Sequence, residues 1–498
     1  MELDWLKRWS LYSPNAVALQ DLDSPRQFTY AQSYQWANQL AYFFQQEYDI
    51  QAGDRVAFFS TNEIEMVLSF FALQRLGAIM VPINFRLMAP EVDYIVGDCQ
   101  PKLLIYQEQF AGVVNQLSNL KTESLSFDGE SGLKTIFSQE DFSGVTIDMR
   151  AQWEGPCLIL YTSGTTGFPK GVMITPKMLF WNSVNTSLRL NISQSDVVIN
   201  FLPLFHTGGW NVLTTPVLHR GGKVLFLKKF EPEKILEVCE KERLTILFGV
   251  PTTMDMMVRT EAFSHVDLSS VRYAIVGGEP MPEPLIQTWA EKGIPVRQGY
   301  GLTEFGPNVF SLNEEQALTK KGSIGFPNFY IDVKVVNNEG LEVGPDQVGE
   351  LLLKGPMAMK GYWHKPEETA KTLKNGWLHT GDLVRKDKEG YFYVVGRKKD
   401  MFISGGENVY PAEVERLLHS HQSVQEVAVI GVPDDKWGEV GKAFVVAKKG
   451  FDVKPQELQS FCQGKIAKFK IPQHFQLIEE LPKGDSGKIL KRALYNLQ

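Results

Sequence analysis

The stretch EPEKILEVCEKERLTILFGVP, from Glu231 to Pro251, places a helical pattern directly before a strand pattern. Its first half repeats apolar residues at helical spacing, and its second half is a short apolar run that ends at Gly and Pro. The same order recurs in EPLIQTWAEKGIPVRQGYG, from Glu283 to Gly301. Alternation of this kind predicts an α/β fold with a mostly parallel sheet.

A similar unit lies closer to the N-terminus. Helical spacing from Ile64 to Ala72 precedes the strand-like AIMVPI, and Gly77 is predicted to end the helix. Asn62 and Glu65 have the spacing of a capping box at its start. Because ligands in such sheets gather at the loops that follow the strands, we expect the functional residues at those strand ends.

From about residue 323 the pattern changes to short strands and turns, in YIDVKVVNNEG, VGELLLKGP and GYFYVVGRKKD. These predict an antiparallel β section. A helix, strand, strand, helix pattern follows and predicts a small α+β domain. We therefore predict a large N-terminal α/β region of several subdomains over residues 1–397, a hinge over 398–400, and a small mobile C-terminal domain over 401–498.

Composition limits the class of protein. At 498 residues the chain is too long for one core, and 43% hydrophobic with 22% charged residues is typical of a globular protein. The net charge of -7 gives no general attraction for nucleic acid, so no nucleic-acid partner is expected. The four cysteines form no CxxC pair, which argues against disulfides and zinc.

The longest apolar stretch, residues 66–83, is interrupted by Gln74, Arg75 and Gly77. It is therefore not expected to cross a membrane. We expect no transmembrane segment and a cytoplasmic location, because the first residues also lack a signal-peptide pattern. A peripheral contact with a membrane is left open by these observations.

The segment YTSGTTGFPKG, from Tyr161 to Gly171, is rich in Gly, Ser and Thr and contains one Lys. It does not match the Walker phosphate loop, and the patterns PCLILY and VMIT place it between two strands. Its backbone N–H groups, hydroxyls and lysine could surround a polyphosphate. A solvated loop without a ligand is the alternative interpretation.

Three further motifs contain side chains that are suited to binding a nucleotide. In GYGLTE, Tyr300 can stack on a base, Thr303 can donate to a phosphate and Glu304 is a hard oxygen ligand suited to magnesium. In HTGDL, Asp382 can accept two ribose hydroxyls, and in GRKKD, Arg397 adds a fork of donors. Alone, GYGLTE is also compatible with a strand-end turn, and a lone Asp382 or Arg397 is more often part of a surface salt bridge.

Eight motifs then occur in one order: YTSGTTGFPKG, PLFHTGG, GGEP, GYGLTE, TGDL, GRKKD, SGGENVYPAEVE and PKGDSGK. In this order the chain resembles the adenylate-forming superfamily, which contains acyl-CoA synthetases, luciferases and the adenylation domains of nonribosomal peptide synthetases. The resemblance extends from about Phe28 to Leu494. It implies a site for ATP and Mg²⁺, with coenzyme A and a small carboxylic acid as the other substrates.

The resemblance also assigns residues to parts of this site. Those implied around the β- and γ-phosphates are Thr162, Ser163, Gly164, Thr165, Thr166 and Lys170. Those implied around the adenine are Gly277, Gly278, Glu279 and Tyr300, and Gly299 and Gly301 of the GYGLTE motif are also implied to be cofactor-binding residues. Thr303 is implied at the α-phosphate, Asp382 and Arg397 at the ribose, and Glu304 with Thr162 at magnesium.

The implied reaction has two steps. A carboxylate attacks the α-phosphate to give an acyl-adenylate and pyrophosphate, and the thiol of coenzyme A then displaces AMP. No covalent nucleophile of the enzyme is needed, so catalysis depends on orientation and charge neutralisation. Lys488 is expected to bridge the carboxylate and the α-phosphate, and His206 is expected at the acyl pocket unless it is only a packed core histidine.

The second step is expected to need a rotation of the C-terminal domain, because Lys488 and the SGGENVYP loop cannot both occupy one active site. Lys399 is the expected hinge residue. Gly405 and Gly406 are expected beside the path of the thiol after the rotation.

Two positions bear on the acid. His206 follows Phe205 where adenylation domains typically carry Asp, and Gly301 stands where acetyl-selective relatives carry Trp. These differences favour a medium-chain, long-chain or aryl acid. The alternatives are an adenylate-forming enzyme with another acceptor or an inactive nucleotide-binding relative. The charged residues expected for catalysis, namely Lys170, Glu304, Asp382, Arg397 and Lys488, are all present, which favours an enzyme.

Overall fold

A computed structural model describes residues 3–129, 132–135, 144–162, 168–451, 453–484 and 489–497. The fold is mixed α/β. Contacts divide the chain into a first unit, Met1–Asp332 with Leu353–Leu378, and a second unit, Val333–Leu352 with His379–Gln498. The division lies upstream of residues 398–400. The hinge at 398–400 therefore stays a prediction.

Within the described residues, nine strands form the larger sheet of the first unit. In spatial order they are Phe326–Pro327, Gly306–Ser311, Val296–Leu302, Tyr273–Val276, Ile246–Gly249, Val197–Asn200, Lys223–Phe226, Val17–Asp21 and Gln27–Thr29. All neighbours from Val296–Leu302 to Val17–Asp21 are parallel, and the outer strands are antiparallel. The predicted parallel sheet is therefore confirmed.

A second sheet of the first unit has six strands. Their order is Glu123–Ser126, Leu103–Tyr106, Arg55–Phe59, Ile79–Ile83, Leu158–Thr162 and Lys170–Ile174. The last two strands form an antiparallel pair, whereas the other neighbours are parallel. The predicted strands on both sides of the Gly/Ser/Thr-rich segment are thus confirmed.

Helices cover both sheets. The α-helices of the first unit include Trp5–Tyr12, Tyr30–Tyr48, Ile64–Leu76, Ala89–Cys99, Ala111–Val114, Pro176–Leu190, Thr214–His219, Pro232–Lys241, Pro251–Val258, Ala262–His265, Glu283–Glu291 and Pro366–Thr372. Helix Pro232–Lys241 buries Ile235, Leu236 and Cys239 in the core that also contains Leu247 of the following strand. This burial is the physical reason for the helical spacing of its apolar residues.

Helix Ile64–Leu76 ends at Gly77 in the left-handed conformation, as predicted. The predicted capping box at its start is wrong. Glu63 is the N-cap residue and makes no side-chain cap, while the Asn62 side chain hydrogen-bonds the backbone of Leu202 and Leu204. Glu65 forms an ion pair with Arg26. Contacts with residues distant in sequence therefore replace the local cap.

The remaining strands form two sheets. One contains Asp332–Val336, Val348–Lys354, Trp377–Lys386, Leu373–Lys374 and Phe392–Arg397. The other contains Glu407–Val409, Phe402–Ser404, Gly438–Ala447, Val424–Asp434 and His474–Leu477. Helices Pro411–His419, Pro455–Cys462 and Lys491–Leu494 belong to the second unit. These elements confirm the predicted antiparallel section and the C-terminal α+β pattern.

All four cysteines, namely Cys99, Cys157, Cys239 and Cys462, are free and buried. Burial raises the pKa of the Cys99 and Cys239 thiols to about 12 and that of Cys462 to about 11. Within the part of the chain that the structure describes, no helix is both long and apolar enough to cross a membrane.

Candidate active site

Two glycine-containing segments follow neighbouring strands of the larger sheet. Strands Tyr273–Val276 and Val296–Leu302 are parallel, and Val276 pairs with Gln298. The Gln298 side chain donates to the carbonyl oxygens of Val276 and Glu279, at 3.3 and 3.1 Å. A Cβ atom at Gly277 would lie 3.7 Å from the Gly299 carbonyl oxygen. The structure therefore brings the segment Gly277 to Glu279 beside the segment that contains Gly299 and Tyr300. The resemblance assigns Gly277, Gly278, Glu279 and Tyr300 to the adenine, and that role stays a prediction.

The GYGLTE motif was expected to follow a strand, but the strand Val296–Leu302 extends through most of it. The reason is the neighbouring strand Gly306–Ser311, which pairs Tyr300 with Phe310 and Leu302 with Gly306, with a bulge between these two pairs. Thr303 and Glu304 then lie in the 3-10 helix Thr303–Phe305. The motif is thus one arm of a hairpin and its turn.

Gly301 lies against the backbone of Pro307. A Cβ atom at Gly301 would be 2.1 Å from the Pro307 carbonyl oxygen, far inside van der Waals contact. The space beside Gly301 is therefore filled by protein backbone. The interpretation that Gly301 leaves depth for a larger acid has no support at this position and stays a prediction.

Lys170, Tyr362, Glu304 and Glu368 form one contact group in the first unit. The Tyr362 hydroxyl donates to Glu304 Oε1 at 2.9 Å. Lys170 Nζ lies 2.5 Å from Glu368 Oε2 and 5.3 Å from the centroid of the Tyr362 ring. The group joins the expected phosphate-binding lysine to the expected magnesium carboxylate through Tyr362.

Two members of this group, Glu368 and Tyr362, have shifted pKa values. Glu368 accepts hydrogen bonds from Lys170 and from Lys371, the latter at 2.9 Å, and these cations lower its pKa to about 2. Burial, followed by the charge of Glu304, raises the pKa of the Tyr362 hydroxyl. Near neutral pH, Glu368 is therefore a carboxylate, and Tyr362 is a hydrogen-bond donor.

Tyr362 and Glu368 were not identified from the sequence. They lie in GYWHKPEET, from Gly361 to Thr369, where Pro366 starts a helix with Glu367 and Glu368 in its first turn. That local pattern is sufficient to predict the helix. The pairing of Glu368 with Lys170, 198 residues earlier, has no local sequence signal.

Strands Leu158–Thr162 and Lys170–Ile174 pair from Leu158 with Ile174 to Thr162 with Lys170. The hydroxyl of Thr162 donates to the Lys170 carbonyl oxygen at 3.5 Å. The two flanking residues of the expected phosphate loop are therefore adjacent. Ser163, Gly164, Thr165 and Thr166 lie outside the described residues, and their roles stay predictions.

PLFHTGG folds back on itself and ends in the first two residues of a π-helix, Gly208–Val212. The His206 N–H donates to the Pro203 carbonyl oxygen at 3.1 Å, and a Cβ atom at Gly209 would lie 2.3 Å from the same oxygen. Trp210 in the π-helix is fully buried, with its ring centroid 5.1 Å from that of Phe70. Gly209 is thus required by the close approach of the Pro203 backbone.

In the second unit, Asp382 and Arg397 face each other on paired strands. They are register partners, and Arg397 Nε lies 2.8 Å from Asp382 Oδ1. Arg397 also donates to the Thr380 carbonyl oxygen at 3.4 Å. The two residues expected at the ribose are therefore brought together as an ion pair.

Three further predicted residues of the second unit, namely Lys399, Gly405 and Gly406, lie in turns. Lys399 is exposed in a turn that is closed by the Asp400 N–H donating to the Arg397 carbonyl oxygen at 3.1 Å. Gly405 and Gly406 connect two paired strands with φ values of 60° and 87°, a conformation that favours glycine. Lys488 lies outside the described residues.

Among the residues that the structure describes, no cluster of three or more His, Cys, Asp or Glu side chains is arranged to hold a metal. Glu304 is accompanied instead by hydroxyl and backbone groups, including the Met359 N–H, which donates to its carbonyl oxygen at 2.8 Å. A magnesium ion at Glu304 would therefore need most of its ligands from bound phosphates and water, which is its usual coordination in nucleotide sites.

Comparison with known families gives two matches. The family described as AMP-binding enzyme matches residues 6–363, and its C-terminal domain family, AMP-binding enzyme C-terminal domain, matches residues 413–488. Together they cover both the glycine-containing strand ends of the first unit and most of the C-terminal α+β pattern.

Similar proteins match over almost their whole length. A feruloyl-CoA synthase of Amycolatopsis sp is 37% identical, over 98% of this chain and 97% of that protein. A long-chain-fatty-acid–CoA ligase of Mycobacterium tuberculosis is 36% identical over the same shares. The structure of the O-succinylbenzoate coenzyme A synthetase of Bacillus subtilis, in complex with ATP and magnesium ion, matches with a TM-score of 0.89 and 31% identity, over 99% of each chain.

Proposed function

We propose, because this chain belongs to the AMP-binding enzyme family and to its acyl-CoA synthetase branch, that it joins a carboxylic acid to coenzyme A at the expense of ATP. The products are acyl-CoA, AMP and pyrophosphate. The observation that carries the proposal is the contact group of Lys170, Tyr362 and Glu304, which supplies a cation and a carboxylate at adjacent points of the first unit.

In the first step, the acid's carboxylate attacks the α-phosphorus of ATP, and the bond to pyrophosphate breaks. We assign Lys170 to the departing phosphates, since a partly buried ammonium is suited to the charge that develops there. Thr303 is assigned to the α-phosphate and Lys488 to the bridge between the two reactants. In the second step, the thiol of coenzyme A attacks the acyl carbon, and AMP leaves with the bonding electrons.

The residues at Glu304 fit a magnesium ion. Tyr362 donates to Oε1, and we assign the other oxygen of this carboxylate, Oε2, to a hard cation. Thr162 adds a hydroxyl oxygen beside Lys170. When bound, the ion would supply neutralisation of the phosphate charge.

For the acid, we propose a medium-chain, long-chain or aryl substrate. The feruloyl-CoA synthase and the long-chain-fatty-acid–CoA ligase support this range, because the chain resembles both to a similar degree. Around PLFHTGG, the Phe205 ring lies 5.4 Å from Phe85 and 4.5 Å from His206, which gives an aromatic environment suited to apolar acids.

The product prediction is tested with ATP, Mg²⁺ and coenzyme A, and with acetate, octanoate, palmitate, benzoate and coumarate in turn. We expect AMP, pyrophosphate and acyl-CoA in equal amounts with at least one of the four larger acids and little turnover with acetate. ADP as the nucleotide product would overturn the proposal. Turnover with acetate and with none of the larger acids would overturn the proposed substrate range, but it would still agree with the proposed ligase activity.

A second prediction concerns Lys399. Lys399→Pro fixes φ and removes the N–H at the predicted hinge, so the rotation between the two steps should be hindered. We expect pyrophosphate exchange driven by the acid to stay near wild type, while formation of acyl-CoA falls by at least about tenfold. Lys399→Ala, which removes the charge and keeps the backbone free, should leave both half-reactions unchanged. Equal loss of both half-reactions in Lys399→Pro would contradict the hinge.

A further inference from the structure

The segment from Gly361 to Thr372, here called the 361–372 segment, contacts two charged residues of the proposed ATP site. Tyr362 donates to the carboxylate of Glu304, and Glu368 accepts from the ammonium of Lys170. None of the eight motifs includes this segment. The inference rests on the proposed function, because that function gives Lys170 and Glu304 their roles.

Hydrogen bonds fix the backbone of the segment. The Trp363 N–H donates to the Gly171 carbonyl oxygen at 2.7 Å, and the Met173 N–H donates to that of Gly361 at 3.0 Å. The segment therefore continues the sheet beside strand Lys170–Ile174. The Tyr362 N–H also donates to Thr369 Oγ1 at 2.9 Å, which ties the extended part to helix Pro366–Thr372.

A free lysine side chain has many rotamers, and ordering it costs conformational entropy. Here Glu368 holds the Lys170 ammonium from one side, and the Tyr362 ring lies on another. Glu368 is held in turn by Lys371. The Lys170 side chain is only 10% exposed, so its ammonium is restrained before any phosphate arrives.

Tyr362 restrains Glu304 in a similar way. Its hydroxyl donates to one carboxylate oxygen and so sets the orientation of the other. Hydrogen bonds from neighbouring groups are the usual means by which proteins orient a metal-binding carboxylate. Tyr362 is itself buried, with 8% exposure, so water competes little for the hydrogen bond to Glu304.

We propose that Tyr362 and Glu368 are positioning residues of the ATP site, with Tyr362 orienting the Glu304 carboxylate toward the metal and Glu368 fixing the Lys170 ammonium for the phosphates. Neither residue is assigned a contact with a substrate. The two act on different partners, so their replacement should affect different ligands.

Tyr362→Phe keeps the ring beside Lys170 and removes the hydroxyl from Glu304. We expect calorimetric titration of the full chain to give about three- to tenfold weaker binding of ATP at saturating Mg²⁺, the loss typical of one ordinary hydrogen bond. Binding of ATP without Mg²⁺ should not change. Tyr30→Phe is the matched control, since it removes a buried hydroxyl whose partner is the Gly222 carbonyl oxygen.

Glu368→Gln keeps the shape and removes the charge beside Lys170. We expect about tenfold weaker binding of ATP and of pyrophosphate and unchanged binding of AMP, because only the first two reach Lys170 in the proposed site. Glu367→Gln is the matched control, because Glu367 is the exposed neighbour on the same helix turn. Glu368→Asp should recover part of the affinity.

The outcomes separate this inference from the proposed function. If the wild-type chain fails to bind ATP, both are overturned. If it binds ATP and Glu368→Gln binds more tightly, Glu368 competes with phosphate, and its positioning role is wrong. If Tyr362→Phe weakens ATP binding equally with and without Mg²⁺, Tyr362 does not act by orienting Glu304 toward the metal. Thermal unfolding of each variant, if lowered no further than in its control, excludes a general loss of structure.

Discussion

Lys488→Ala is expected to slow acyl-adenylate formation by about a hundredfold to a thousandfold, the usual effect of removing one electrostatic contact from a transition state. On the proposed mechanism, Lys488 lies between two anions, the incoming carboxylate and the α-phosphate. Its cation therefore stabilises this step most while negative charge is concentrated on the oxygens around the reacting phosphorus. The second step transfers an acyl group from a formed adenylate and has no such requirement.

The measurement is a pair of single-turnover experiments. One follows pyrophosphate release from ATP and the acid, and the other follows conversion of presynthesised acyl-adenylate with coenzyme A. Lys483→Ala is the control, because Lys483 lies in the same C-terminal motif but forms an ion pair with Glu426 at 2.6 Å. An equal loss in both experiments for Lys488→Ala would show that Lys488 is not specific to the first step.

Gly301→Ala is expected to destabilise the first unit, because even a methyl group at Gly301 meets the Pro307 backbone at 2.1 Å. Backbone cannot move aside as a flexible side chain can, so the hairpin from Val296 to Ser311 must shift. We expect a loss of about 1–3 kcal/mol of unfolding free energy, typical of overpacking, and a loss of activity on every acid. Gly301→Trp should destabilise the first unit more than Gly301→Ala does.

Thermal unfolding and activity on acids of several lengths measure this effect. Gly299→Ala is the matched control, because a Cβ atom there would make an ordinary contact at 3.7 Å, and the variant should fold. If Gly301→Ala unfolds at the wild-type temperature and loses only the larger acids, then Gly301 lines a substrate pocket, and the pocket interpretation is correct after all.

Local sequence patterns were sufficient for much of the fold. The apolar spacing of helix Pro232–Lys241 and the Gly77 stop were predicted because burial of one helix face and left-handed backbone each have a direct signal in neighbouring residues. The capping box at Asn62 failed because its side chain found partners at Leu202 and Leu204, 140 and 142 residues away. A capping rule that considers only neighbouring residues cannot predict hydrogen bonds to such distant partners.

In the candidate site, too, some residues have a local sequence signal and others depend on contacts that form only in the fold. Motif order led to the prediction of Lys170 and Glu304 as site residues, and the structure brings both into contact with Tyr362. Tyr362, which joins them, comes from a segment without a distinctive motif and reaches its place by pairing with strand Lys170–Ile174. The crowding at Gly301 depends on the path of Pro307 and is a property of the folded hairpin.

The buried cysteines have a practical consequence for measuring this reaction. Only a thiolate reacts rapidly with disulfide reagents, and burial both shields the four protein thiols and, at Cys99 and Cys239, raises the pKa to about 12. Consumption of coenzyme A could therefore be followed by a coloured thiol reagent with little background from the native enzyme. In denaturant, the same reagent would count four new thiols per chain, so one dye would report turnover and unfolding in the same cuvette.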